Sequence, residues 1–364
     1  MRSLRPLPPL AVLAFLTAGC ITIPPDTYRG SANGYNVAMQ ETAEEQLLLN
    51  IVRLRYRDTP FFLEVASLTS QFDLSSSAGV SGNFPLDSDV PDVLQGSGGI
   101  SFSERPTISY TPLQGEAFYS RFLGRIRFDN IALLSDSGWS LDSVARLAIQ
   151  RVNGLTNAEG ASGPTPDLAP DVEAFREAAS LLFDLQRQGE IHLVEVAEGE
   201  DTFRGMQLPE KGASDQADRL RELLSLDPDR EIYRFEPGSG SVAPGDGETV
   251  VYNTRSLLGV LFYLSQGVNV PEAHREAGIV TTTREADGGV YDWEAALSGL
   301  FRVEYAASRP RSAAASVFYR GWWFYVADSD LASKDTLILL SQLFTLQTGD
   351  AQGQTPLLTI PVGN

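Results

Sequence analysis

Apolar residues recur at helical spacing over residues 42–57, where Leu47, Leu48, Ile51, Val52 and Leu54 share one face and Asn50, Arg53 and Arg57 the other. Thr42 with Glu45 reads as a capping box, acidic residues open the segment, arginines close it, and Pro60 ends it. The period then changes to two. From Ala66 to Phe84 the even positions read Ala, Leu, Ser, Phe, Leu, Ser, Ala, Val, Gly, Phe, against small or polar residues at the odd positions. Ile100, Phe102, Ile108 and Tyr110 repeat the rule against Ser101, Ser103, Arg105, Thr107, Ser109 and Thr111. Such alternation predicts strands with one apolar and one polar face. The connection carrying Pro85, Pro91 and Gly96 joins them into a long hairpin, with its apolar face expected on the 42–57 helix. Asp73, Glu104 and Pro106 count against insertion of this hairpin in a membrane, the last two because they fall on the apolar register.

Helices are expected at 115–123, 129–135 and 141–153, followed by a Gly-, Ser- and Pro-rich linker at 158–170. Beyond it, 172–188 reads as a helix and 190–196 as a strand. Two strand-strand-helix modules follow. The first has a helix at 215–226, strands at 231–235 and 249–252, and a helix at 255–266 so apolar that it must be buried. The second has strands at 301–306 and 316–327 and a helix at 336–347, with Ser333 as N-cap and Gly349 after its end. A strand at 357–362 closes the sheet. The expected class is α+β: helices plus a long N-terminal β-hairpin, then C-terminal strand-strand-helix modules. The expected domains are 37–157, helical with the hairpin, and 171–364.

The first residues read as an address. Arg2 and Arg5 precede an apolar run from Leu10 to Leu16, too short for the roughly 20 residues of a membrane-spanning helix. Leu16-Thr17-Ala18-Gly19-Cys20 follows, and it resembles the lipobox of bacterial lipoproteins. Residues 1–19 are then a signal peptide, Cys20 takes the lipid and 20–36 is a tether. Cys20 is the only cysteine, so the mature fold has no disulfide. The resemblance implies sorting to the outer membrane, facing the periplasm, because Ile21 stands where Asp would retain the protein at the inner membrane.

The chain carries −19; without Arg2 and Arg5, 26 basic against 47 acidic side chains leave −21. That balance argues against nucleic acid and anionic membrane surfaces as electrostatic partners.

Chemistry is sparse. His192 lies in an expected strand and His274 in a polar loop. No metal-binding pair, nucleophile elbow, phosphate loop or dinucleotide fingerprint is present, so no cofactor, metal or catalytic residue is assigned. Glu272, Asp287, Asp292 and Glu294 are close in sequence and could supply the carboxylate pair of glycan cleavage. The run Val317–Val326 places aromatic residues on both faces of one strand, with Gly321 at a bulge. It is either a central strand covered on both sides, or one whose Trp322, Trp323, Phe324 and Tyr325 offer a platform for sugars or a partner protein. The hairpin is either a soluble ribbon or a contribution to an oligomeric membrane barrel, analogous in its alternation to the curli-secretion lipoprotein pore.

The stretches 45–58 (Glu-Gln-Leu-Leu-Leu-Asn-Ile-Val-Arg-Leu-Arg-Tyr-Arg-Asp) and 253–267 (Asn-Thr-Arg-Ser-Leu-Leu-Gly-Val-Leu-Phe-Tyr-Leu-Ser-Gln-Gly) resemble those of uncharacterised lipoproteins from Gram-negative bacteria. The resemblance covers most of the mature chain and brings no activity with it. The expected function is a non-enzymatic, lipid-anchored envelope component with a protein partner. Two alternatives stand: a pore or ring subunit of an export apparatus, and a glycan-binding or glycan-cleaving lipoprotein. Cys20→Ser should abolish lipid labelling and leave an unprocessed precursor; persistent incorporation of a radioactive fatty acid would refute the anchor.

Overall fold

The structure, a computed structural model, describes residues 25–83, 93–164, 166, 168–198, 201–238 and 246–349. The expected signal segment, Cys20, the 85–91 connection and the expected strand at 357–362 lie outside the described residues. The fold is α+β. Its described residues fall into two compact units, the first holding those up to Glu41 with Val65–Thr111, the second Thr42–Glu64 with those from Pro112 on.

The first helix, α1 (Pro25–Arg55), starts far earlier than its apolar stripe implies. The stretch read as a tether is helical from Pro25, and Thr42 lies mid-helix rather than at a cap. Proline suits the first helical position because its missing N–H has no partner there in any case. Gly30 and Gly34 each cost a helix about 1 kcal/mol relative to alanine without breaking it.

Leu47, Leu48, Ile51, Val52 and Leu54 are all buried, as their spacing predicts. Asn50 was expected on the outer face, yet it too is buried. Its Nδ2 donates to Phe61 O at 2.8 Å while its Oδ1 accepts from Phe61 N at 2.8 Å. One turn earlier Gln46 does the same for Leu63, at 2.9 and 2.7 Å. Two side-chain amides at i and i+4 thus stand in for a neighbouring strand. They satisfy backbone groups at Phe61 and Leu63, where β1 (Leu63–Asn83) begins. β1 and β2 (Val93–Pro112) form a two-stranded sheet, so the predicted hairpin exists, with longer strands than expected.

In the second unit, α2 (Glu116–Leu123), α3 (Phe128–Asp136) and α4 (Leu141–Ala148) follow in order. The helix expected to reach residue 153 stops at Ala148 and becomes β3 (Ile149–Val152) and β4 (Leu155–Thr156). The presumed linker is built in rather than a boundary: Ala158 and Ala161 are buried around a short 3-10 turn, Glu159–Ser162. After it come α5 (Glu173–Gln188), β5 (His192–Glu198), β6 (Asp201–Gln207), α6 (Asp215–Leu224), β7 (Ile232–Pro237) and β8 (Thr249–Thr254). One six-stranded sheet in the order β4-β3-β8-β7-β6-β5 carries strands from both sides of 158–170. Strand β6 carries no clear alternation and was not expected. Its Gly205 is required by close approach, since a Cβ there would meet Tyr233 O at 2.9 Å.

Helix α7 (Leu257–Ser265), α8 (Glu272–Glu276) and α9 (Trp293–Ala296) lead to a three-stranded sheet of β9 (Glu304–Ala306), β10 (Ala313–Tyr319) and β11 (Trp322–Ala327), with α10 (Leu331–Thr348) last. The two expected modules are not alike, because β7 pairs with β8 in parallel while β10 pairs with β11 antiparallel. Ser333 is not the cap of α10; Asp330 is, accepting from Ser333 N at 3.1 Å.

Two cores result. One gathers the C-terminal half of α1 with α2, α7, α10 and the β10–β11 pair. The other lies between the six-stranded sheet and α5 and α6. Ile149 packs against both. Beside this junction Arg255, between β8 and α7, is 1% exposed. Its Nη1 donates to the carbonyls of Arg146, Leu147 and Ile149 at 3.1, 3.3 and 2.8 Å. Its Nη2 donates to Asn157 O and its Nε to Ser162 Oγ at 3.1 Å. The guanidinium lies 4.0 Å from the centre of the Tyr263 ring. Arg255→Met would leave these acceptors buried and unpaired, and should lower unfolding free energy by about 3 kcal/mol or more in urea titrations. A loss under about 1 kcal/mol would show that the carbonyls find other donors.

Candidate functional site

The hairpin is the first feature that fold stability does not account for. Ser75 Oγ meets Ser101 Oγ at 2.5 Å, and Ser77 Oγ donates to Gly99 O at 3.5 Å. Advancing two residues in β1 moves the partner back two in β2, so the strands are antiparallel, with facing residue numbers summing to 176. This register sets Ala66 opposite Tyr110 and Leu68 opposite Ile108, on one face. All four are exposed, Tyr110 at 46% and Ile108 at 40%. On the other face Ser75, Ser77, Ser101, Ser103, Thr107 and Ser109 are exposed as well. The expected covering of the apolar row is therefore not found among these residues.

The aromatic run is not a single strand with a bulge. Arg320 (φ 47°) and Gly321 (φ 87°) form a two-residue turn, so the run is a hairpin of β10 and β11. Alternation then separates its aromatics. Phe324 is fully buried in the core, with Trp322 half-buried on the same side and edge-on to Tyr305 at 5.4 Å. Trp323 and Tyr325 take the other side; Trp323 lies beside exposed Phe318 at 5.5 Å, with the Arg309 guanidinium 5.2 Å from its ring. The four named aromatics do not make one surface.

Under this hairpin Tyr56, just past α1, touches His274, Tyr319 and Phe324 at centroid distances of 5.6, 5.8 and 6.1 Å. Its Oη is 2.7 Å from His274 Nδ1. His274 therefore lies in α8 with a partner, rather than in a free polar loop, while His192 opens β5. Burial pushes the Tyr56 phenol up to about 12 against the opposing pull of Arg320 and Arg55, so it stays neutral at pH 7. Asp58 accepts from Tyr319 Oη and from Arg320 Nη2, the latter at 2.8 Å. Burial raises the Asp58 carboxyl, but these two hydrogen bonds outweigh it and hold the group below its ordinary value.

Of the four candidate carboxylates, Glu272, Asp292 and Glu294 line one cleft of about 530 Å³. Each already has a task. Glu294 pairs with Arg302 at 2.6 Å, Glu272 with Arg275 at 3.6 Å, and Asp292 caps α9 by accepting from Ala295 N at 3.0 Å. Asp287 accepts from Gly289 N at 2.9 Å in the adjoining turn. Glycoside hydrolysis needs one carboxyl as acid and another as base or nucleophile across a bond; here Glu272 and Glu294 each face an arginine. Arg55 also lines the cleft. No sequence signal marks this role, since an arginine in the last turn of a helix reads as a complement to the helix dipole. Among the described residues no group of three or more His, Cys, Asp or Glu could hold a metal ion, and no helix is long and apolar enough to cross a membrane.

No family model matches the chain, and neither a curated protein nor a solved structure matches it.

Asp58→Asn should destabilise the protein at pH 7. A depressed carboxyl contributes stability above its unfolded pKa, about 3.9, and loses it as pH falls through the lower folded value. Wild type and variant should therefore converge in urea midpoint below about pH 3. Equal midpoints at pH 7, or a constant gap down to pH 2.5, would contradict this assignment.

Proposed function

We propose that this chain is a non-enzymatic, lipid-anchored component of the bacterial outer membrane that assembles with further copies of itself through the β1–β2 hairpin. The observation that carries the reading is a pair of strands of about twenty residues on which the apolar Ala66, Leu68, Ile108 and Tyr110 are exposed, with no third strand at either edge among the described residues. A two-stranded hairpin alone is marginal in water, and an open edge is a row of unpaired donors and acceptors. At about 3.3 Å per residue each strand is roughly 65 Å long. Nine to eleven tilted residues suffice to cross a bilayer, so each strand has length for a crossing and for a stem outside it.

The two outer edges belong to different strands. Contact between copies is then head-to-tail, β2 of one against β1 of the next, and a fixed rotation closes it into a ring. The lipobox resemblance supports the location, since Cys20 fastens the chain to the membrane that such a ring would occupy. The −21 charge of the mature chain agrees with a solvated body that does not bind anionic surfaces. This reading joins the assembly role to the ring-subunit alternative.

The test is the size of mature residues 21–364 by light scattering, without and then with detergent. A uniform ring-sized assembly that requires detergent is expected. Leu68→Arg with Ile108→Arg places two like charges on the apolar row, each costing about 2–4 kcal/mol at the bilayer midplane, and should give a folded monomer. A wild-type monomer in both conditions would end the proposal.

A further inference from the structure

The 530 Å³ cleft of the second unit is built around a cation that lacks an anion. Four arginines and four carboxylates line it, but they do not pair evenly. Arg302 is held by Glu294 and Glu304, Arg275 by Glu272, and Arg284 donates to Gly288 O at 2.9 Å. Arg55 has only neutral acceptors, Gln266 Oε1 at 3.3 Å and Thr281 O at 3.0 Å, and both bonds come from Nη1. Its Nε is buried and, like Nη2, meets no acceptor among the described residues.

Those two nitrogens form the edge of a guanidinium that presents two parallel N–H groups to a carboxylate. An unpaired buried N–H costs about 1–3 kcal/mol, so the fold tolerates here a defect that a ligand would repair. Burial first, then the neighbouring Arg275, lowers the Arg55 guanidinium to about 10; it stays cationic at pH 7 with no carboxylate bonded to it.

We propose that this cleft binds a small ligand through one carboxylate, which accepts two hydrogen bonds from the Nε–Nη2 edge of Arg55. The surrounding acids select the class of anion. Glu272, Glu276, Asp292 and Glu294 share the walls, and a phosphate dianion would meet more repulsion there than a single planar charge. Tyr291 and Trp293, edge to face at 5.0 Å, supply the apolar wall for the rest of the ligand. The Trp293 indole N–H is already given to Thr283 Oγ1 at 2.8 Å, which fixes the ring. This site lies wholly in the second unit and stands independently of assembly through the hairpin.

Calorimetric titration of the mature protein tests it with four probes: N-acetylalanine, its C-terminal amide, glucuronate and inorganic phosphate. N-acetylalanine should bind and its amide should not, and Arg55→Met should weaken binding about tenfold or more, the loss of one charge-assisted pair. Glucuronate binding better than N-acetylalanine would make the natural carboxylate that of a sugar acid; the reverse order would make it a peptide terminus. If Arg55→Met fails to fold, the wild-type Arg55 Nε–H resonance must shift as N-acetylalanine is added. Equal binding of acid and amide, tighter binding of phosphate, no binding of any probe to about 50 mM, an undiminished Arg55→Met affinity, or an unmoved resonance would each overturn the assignment.

Discussion

A guanidinium buried without a carboxylate is the constraint around which the second unit is arranged. Transferring such an ion from water into a protein interior costs several kcal/mol even after relaxation. Arg255 meets that cost with carbonyl dipoles instead of a counter-ion. Three of them belong to the end of α4 and the start of β3, where a helix exposes its last carbonyls and carries partial negative charge. The same group reaches the 3-10 turn through Ser162 and the face of Tyr263 on α7. One side chain therefore ties together the end of α4, the start of β3 and the turn between β8 and α7. Asn153 and Asn157 extend the pattern, donating to Leu224 O and Thr249 O, and to Arg146 O and Ile149 O. Buried polar groups with every hydrogen bond made specify one arrangement of a core more narrowly than apolar packing does.

What could be read in advance follows from which forces are local. The buried stripe of α1, the burial of α7 and the alternation of β1 and β2 are period effects, visible in any window of a dozen residues. Asn50 could not be read in this way, because its burial depends on backbone groups at Phe61 eleven positions away. Leu141 to Asn153 keeps a helical period throughout, and the break at Ala148 arises from Arg255, more than a hundred residues later. The Pro- and Gly-rich stretch 158–170 has a linker's composition, but Ala158 and Ala161 are small enough to be enclosed in the core. The aromatic run was misread through one feature of its turn. Arg320 adopts a left-handed conformation uncommon outside glycine, asparagine and aspartate, so the pair Arg-Gly did not announce a hairpin. For the cleft, the acidic residues were legible as a group, whereas the arginines that pair with Glu272 and Glu294 come from α8 and the segment before β9.

The two units differ in how they are stabilised. The second has two apolar cores, buried amides and a network of arginines, and most of its described buried side-chain polar atoms have a hydrogen-bond partner. The exceptions are few: Nε of Arg55, Arg146 and Arg151, and one Glu190 oxygen. The hairpin has cross-strand serine contacts and, among its described residues, exposed side chains on both faces.

In the proposed assembly, the unlike edges of the β1–β2 pair bear on stoichiometry. Each strand pairing that covers one edge offers another of the same kind, so the strength of a single contact carries no instruction about when growth should stop. Closure has to come from shape: the right-handed twist between neighbours, the tilt of the strands and the stagger accumulated around the circuit. The number of hairpins in a closed sheet is in that sense a geometric integer. Substitutions at residues that leave affinity untouched can change it by altering the pitch at which one pair of strands follows the next.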